Sequence, residues 1–144
     1  GVPTVERKGG TYTATDPATG ELLGMAEVGP DGYVELAIYT DAAQSPIRGG
    51  AVFKALVEAA RADQGQVSGI RGLWYGGDTL SPSNRGVLAG QTPEAAAATT
   101  FTGKMASRAG YPNARIDYSR SPRNPDGSFQ KAEVFFSGTP ERSD

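Results

Sequence analysis

Two clusters of turn-forming residues, Asp16-Pro17-Ala18-Thr19-Gly20 and Gly29-Pro30-Asp31-Gly32, cut the first third of the chain into short segments. Proline presets one turn dihedral and glycine supplies the positive φ that others avoid, so neither cluster continues a strand or a helix. The segments they separate have strand character. Thr11–Thr15 is β-branched and aromatic, and Leu22–Val28 is mostly apolar. Tyr33–Tyr39 alternates, with Val34, Leu36 and Ile38 facing one way and Tyr33, Glu35, Ala37 and Tyr39 the other. Loops this short predict an antiparallel meander.

After the meander the periodicity changes. Ile47, Ala51, Val52, Ala55, Leu56 and Ala59 fall at helical spacing. This predicts a helix from Pro46 or Ile47 to Asp63, with Ser45 as N-cap, Pro46 at the first turn and Gly65 beyond its end. Gly69–Tyr75 reads as a strand closed by Gly76-Gly77. Ser81-Pro82 opens a short helix that stops at Gly90, and Thr92-Pro93 opens a longer one over 93–109 that Gly110 ends. Ala114–Tyr118 and Gln130–Ser137 are the last strands, joined by a loop over 119–128 with an Asp126-Gly127 turn. The order βββ-α-β-α-α-ββ is that of an α/β (α+β) protein with a mixed, largely antiparallel sheet. Residues 10–137 read as one domain between flexible ends at 1–9 and 138–144.

Composition narrows the chemistry more than the fold. A chain of 144 residues with 38% apolar and 21% charged side chains buries a core without cross-links. It has no cysteine and no histidine, which excludes disulfides, thiolate metal sites and Ser-His or Cys-His pairs. Any catalysis rests on carboxylates, Tyr, Ser/Thr, Lys/Arg or backbone amides, and no metal is expected. No apolar run is long enough to span a bilayer. Beginning at Gly1 rather than Met fits a piece of a longer protein.

The net charge of −2 is unevenly spread. Residues 1–41 carry two basic and seven acidic side chains. Residues 101–131 carry six basic ones (Lys104, Arg108, Arg115, Arg120, Arg123, Lys131) against Asp117 and Asp126. Such a segment suits an anion, whether a nucleotide, RNA or CoA phosphates; a solvated surface is the alternative. A second anion candidate is Arg48-Gly49-Gly50, where amides of Gly49, Gly50, Ala51 and Val52 at a helix N-terminus attract phosphate and Arg48 adds charge. A Gly-rich turn into a core helix is the plainer reading. Glu35, on the polar face of its strand, could take a proton from an amine, or be simply exposed. Tyr39, Tyr75 and Tyr111 are proton-donor or packing groups, and Trp74 is core or ligand platform. Within Thr99–Met105 a glycine and three threonines cost helix stability, so close packing or a hydroxyl-and-lysine patch must favour them.

Glu35–Tyr39, Ile47–Leu56, Gly69–Trp74 and Met105–Tyr111, in this order, resemble the C-terminal part of the GNAT N-acetyltransferase fold over residues 10–137. The resemblance implies a GNAT-like sheet and acetyl-CoA or another acyl-CoA, its pyrophosphate held by Arg48, Gly49, Gly50, Ala51 and Val52. It implies Glu35 as base and Tyr111 as acid, with Trp74, Tyr75, Lys104 and Arg108 near the substrate. The CoA loop is degenerate: Phe53 stands where that family has a small residue. The family's usual tyrosine acid would fall near Ala106.

Trp74, Asn84, Ser81-Pro82, Thr92–Ala96 and Thr100–Lys104 together resemble a domain at the C-terminal tips of bacterial polymorphic toxins. That resemblance implies delivery into a target bacterial cytoplasm as part of a larger secreted protein. It also implies a cognate immunity protein as partner, and a tRNA or other anionic target. Three functions are therefore open. The first is an acyl-CoA-dependent N-acyltransferase. The second is a metal-independent ribonuclease in which Lys104, Arg108, Arg115, Arg120 and Arg123 grip phosphates and Glu133 or Asp117 is the base. The third is a non-catalytic binding module.

Overall fold

A computed structural model of the chain describes residues 1–138, apart from the Asp78 side chain; the tail expected over 139–144 lies outside the described residues. The fold is α+β with largely antiparallel strand pairing, as the turn spacing predicts. The chain gathers into two compact units, residues 1–68 and the part from Gly69 onward.

In the first unit β1 (Thr4–Lys8), β2 (Thr11–Thr15), β3 (Leu22–Val28) and β4 (Tyr33–Ile38) pair in chain order, each antiparallel to the next. The expected flexible end at 1–9 thus contains a strand, since Thr4 to Lys8 pair with Thr15 to Thr11. Helix α1 (Gly49–Gln64) packs on the meander through Val52, Phe53, Leu56, Val57 and Ala60, all buried. Burying side chains of this size stabilises by about 1.5–3 kcal/mol each for the larger ones, well beyond what helix propensity supplies. The contact needs a glycine beneath it. A Cβ at Gly24 would stand 2.8 Å from Val52 Cγ1 and 2.9 Å from the Ala37 carbonyl oxygen.

Helix α1 begins at Gly49, later than the Ser45-Pro46 signal predicts, with Arg48 as N-cap. Ser45 has other partners. Its hydroxyl donates to Asp16 at 2.6 Å and accepts from the Ile47 amide, while the amides of Gln44 and Ser45 donate to the Glu21 carboxylate. The approach to the helix is a loop tied to two carboxylates.

The second unit contains β5 (Gly69–Trp74), α2 (Gly77–Leu88), α3 (Pro93–Ala98), α4 (Phe101–Arg108), β6 (Asn113–Ile116) and β7 (Ala132–Ser137), with a 3-10 turn at Tyr118–Arg120. β7 is central, antiparallel to β5 on one side and β6 on the other. α2 starts a turn before the predicted Ser81-Pro82 signal and carries Pro82 in its interior. The helix predicted over 93–109 is two helices. Thr100 caps the second: its hydroxyl accepts from the Gly103 amide at 3.1 Å and donates to the Ala97 carbonyl at 2.7 Å. Gly103 lies so close to the end of α3 that a Cβ would sit 2.4 Å from the Ala97 carbonyl oxygen. Capping therefore accounts for Thr100, and close packing for Gly103. Among the described residues no helix is long and apolar enough to cross a membrane.

Candidate functional site

The sheet of the second unit divides its side chains by strand alternation. Ile70, Trp74, Val134 and Phe136 are buried on one face, where the Trp74 and Phe136 rings lie 6.3 Å apart. The other face carries Arg71 and Leu73 from β5 and Tyr75 just after it, with Lys131, Glu133 and Phe135 from β7 and its approach. In register Leu73 is opposite Glu133 and Arg71 opposite Phe135, so Arg71 reaches Glu133 diagonally.

On this face lies a cleft of about 500 Å³. Arg71, Tyr75, Tyr118, Ser119, Arg120, Lys131 and Glu133 line it. Three cations and one carboxylate are thus among its lining residues. Glu133 is only 3% exposed, and Arg71 Nη2 donates to its Oε2 at 2.5 Å. Arg120 Nη1 lies 3.9 Å from the same oxygen. A buried carboxylate is tolerable only with such partners.

The segment over 117–131 is tied to the sheet by its own polar groups. Ser121 is buried; its hydroxyl donates to the Asp117 carbonyl at 2.7 Å and accepts from the Glu133 amide at 3.0 Å. The Asp117 amide donates to the Glu133 carbonyl. Further along, the Asn84 side chain accepts from the Phe129 amide at 2.8 Å and donates to the Phe129 carbonyl at 2.9 Å, a two-point tie from α2. More cations surround the cleft. The Arg115 guanidinium lies 4.4 Å from the Phe135 ring centre, and Arg123 lies over Phe129 and Tyr118.

The titratable groups differ in role. The Ser119 hydroxyl, bonded at 2.6 Å, holds the Asp117 carboxyl below the usual carboxylate range, which makes Asp117 a weak base. The Tyr118 phenol is pushed up to about 12 by partial burial and by its 2.5 Å bond to Glu94, so it stays protonated. Glu133 is the one carboxylate among the residues that line the cleft.

The other sequence-derived candidates are distributed as follows. Tyr75, Glu133 and Arg120 come together at the cleft. Trp74 faces the core, and Tyr111 is buried just after α4. Lys104 and Arg108 are exposed on α4 and do not line the cleft. In the first unit Glu35 is exposed opposite Glu27, and Arg48 is exposed at the start of α1. The amides of Ala51 and Val52 both donate to the Arg48 carbonyl, and the Val52 and Phe53 side chains are buried. Arg71, Tyr118 and Ser119 escaped the sequence reading. The alternation Arg71-x-Leu73-x-Tyr75 against Lys131-x-Glu133-x-Phe135 carries the signal for the first of them. Among the described residues no three acidic side chains gather as a metal site. No family model, curated protein or solved structure matches the chain.

Proposed function

We propose that the second unit is a ribonuclease that cleaves RNA by transferring the phosphodiester to its own 2′ oxygen. The observation that carries this reading is the buried Glu133 carboxylate at the floor of a cleft whose other charges are Arg71, Arg120 and Lys131. Glu133 accepts the 2′-hydroxyl proton, and the 2′ oxygen attacks the adjacent phosphorus. The bond from phosphorus to the 5′ oxygen breaks, and the Lys131 ammonium supplies that oxygen's proton. Arg71 and Arg120 hold the charge that builds on the phosphoryl oxygens, the largest contribution in reactions of this type. Proton transfer by a placed base adds about 10²–10⁴-fold. The reaction leaves a 2′,3′-cyclic phosphate and a 5′-hydroxyl. It needs a 2′-hydroxyl, so DNA of the same sequence is expected to stay intact. The test is incubation of a defined RNA with the protein in excess EDTA, followed by end-group analysis. Cyclic phosphate ends are expected; intact RNA would refute the reading.

A second reading keeps acyl-CoA at α1. Its support is that no side chain caps this helix and that the exposed Arg48 stands at its start. Two of the four amides that would hold the pyrophosphate already donate to Arg48, which weakens it. Calorimetry with acetyl-CoA decides: heat abolished by Arg48→Glu supports this reading, and none at millimolar ligand removes it.

A further inference from the structure

Two large aromatic side chains line the same cleft and remain largely open to solvent, Tyr75 at 67% and Tyr118 at 51% exposure. Exposed aromatic rings beside cations offer a face on which a flat ligand can stack. They differ in how they are held. Tyr75 follows the end of β5, whereas Tyr118 is fixed from several directions. Its phenol donates to Glu94 at 2.5 Å, its ring lies 6.3 Å from that of Phe129, and the Arg123 guanidinium is 5.6 Å from its centre. Its neighbours are also set in place. Asp117 accepts from the Ser119 amide and hydroxyl, and the Asn84 amide grips Phe129 at both backbone groups. The ring is thus held from several sides yet half exposed, in a cleft that carries positive charge.

We infer that Tyr118 is a nucleobase-stacking subsite and that the cleft takes single-stranded RNA, one unpaired base lying on Tyr118 while its phosphate meets Arg71, Arg120 and Lys131. This inference rests on the phosphodiester reading of the cleft. Stacking on an aromatic face is available only to a base released from its pair. A cleft of about 500 Å³ has room for a nucleotide-sized ligand, and a duplex keeps its bases stacked on one another. The platform accepts every base, because each has a π face, so the preference is for strandedness rather than for sequence.

The probe is a fluorescein-labelled RNA of ten nucleotides with 2′-O-methyl groups throughout, which binds without being cut. Its affinity is measured by anisotropy, alone and annealed to its complement, for the natural protein, Tyr118→Leu and Tyr118→Phe. Tyr118→Leu is expected to weaken single-strand binding about tenfold and duplex binding little. Tyr118→Phe keeps the ring and is expected to stay within about threefold of the natural protein. Equal affinity for both strand forms, or Tyr118→Leu binding as tightly as the natural protein, overturns the inference. The cleavage assay on unmodified RNA separates the two claims. Tyr118-dependent binding with no cleavage keeps the subsite and removes the ribonuclease; cleavage with no effect of Tyr118→Leu does the reverse.

Discussion

Glu133 and Arg71 form the most consequential pair in the second unit. Taking a carboxylate from water costs several kcal/mol unless a cation and hydrogen bonds replace the solvent. Arg71 does so at 2.5 Å, and Arg120, at 3.9 Å and largely exposed, can do so only in part. Replacing Arg71 by Ala is therefore expected to destabilise by about 3 kcal/mol, read as a lower urea midpoint. A change below about 1 kcal/mol would mean that Arg120 moves in to replace it. Sequence reading reached Glu133, Arg120 and Tyr75 but not Arg71. The two partners are 62 residues apart, and nothing local shows that β7 pairs with β5. Tyr118 was hidden for a related reason, because only the fold brings it against Glu94 on α3 and turns its own segment back to set Arg123 and Phe129 beside it.

Secondary-structure elements were the most legible level, and their boundaries the least. The meander follows from its turns and alternation. The late start of α1 was concealed because Ser45 and Pro46 are good capping residues, yet the Asp16 and Glu21 carboxylates hold Ser45 in the loop. The break between α3 and α4 is another such case, and it gives a prediction in which two effects oppose each other. Helix propensity alone favours Ala over Gly by about 1 kcal/mol. The new Cβ at Gly103, 2.4 Å from a backbone oxygen, has no flexible neighbour to displace. Overpacking wins, so Gly103→Ala is expected to destabilise by about 1–3 kcal/mol, and a raised urea midpoint would disprove it. The tie from α2 is testable at the same scale. Asn84→Ala leaves both backbone groups of the buried Phe129 without their side-chain partner. A loss of about 2–4 kcal/mol is expected, together with weaker RNA binding as the segment over 117–131 loosens. Unchanged stability would show that water replaces the amide.

For the molecule as a whole, the net charge of −2 conceals a division of charge along the chain. An acidic first segment and a basic later one let a net-negative protein bind a polyanion locally. One phosphate held by the cleft cations predicts a salt slope near −0.7 in log affinity against log salt for single strands, at about 0.7 per phosphate neutralised. Salt-insensitive binding would exclude this mode. Stability should also depend on pH in a definite direction. Asp16, Asp63, Asp117 and Asp126 are all held below their ordinary pKa of 3.8, in each case chiefly by a hydroxyl donor: Ser45, Tyr12, Ser119 and Ser128. A depressed folded pKa gives stability that is present above the unfolded value and lost as pH falls through the folded one. The urea midpoint should therefore drop as pH falls below about 4. Tyr12 and Tyr118 are raised, Tyr12 chiefly by burial and then by its bond to Asp63, so stability should fall again as pH rises above about 10. A midpoint that is flat between pH 7 and 3 would contradict the carboxylate assignments.

The most direct measurement compares cleavage of one single-stranded RNA by the natural protein and by Glu133→Gln, with binding followed in parallel. The glutamine keeps the shape and a hydrogen-bond acceptor for Arg71 but cannot take the 2′-hydroxyl proton. Cleavage is expected to fall by at least about 10²-fold while RNA affinity changes only a few-fold. Cleavage at the natural rate by Glu133→Gln, with the same cyclic phosphate ends, would show that Glu133 is not the base and that the cleft does not act as described.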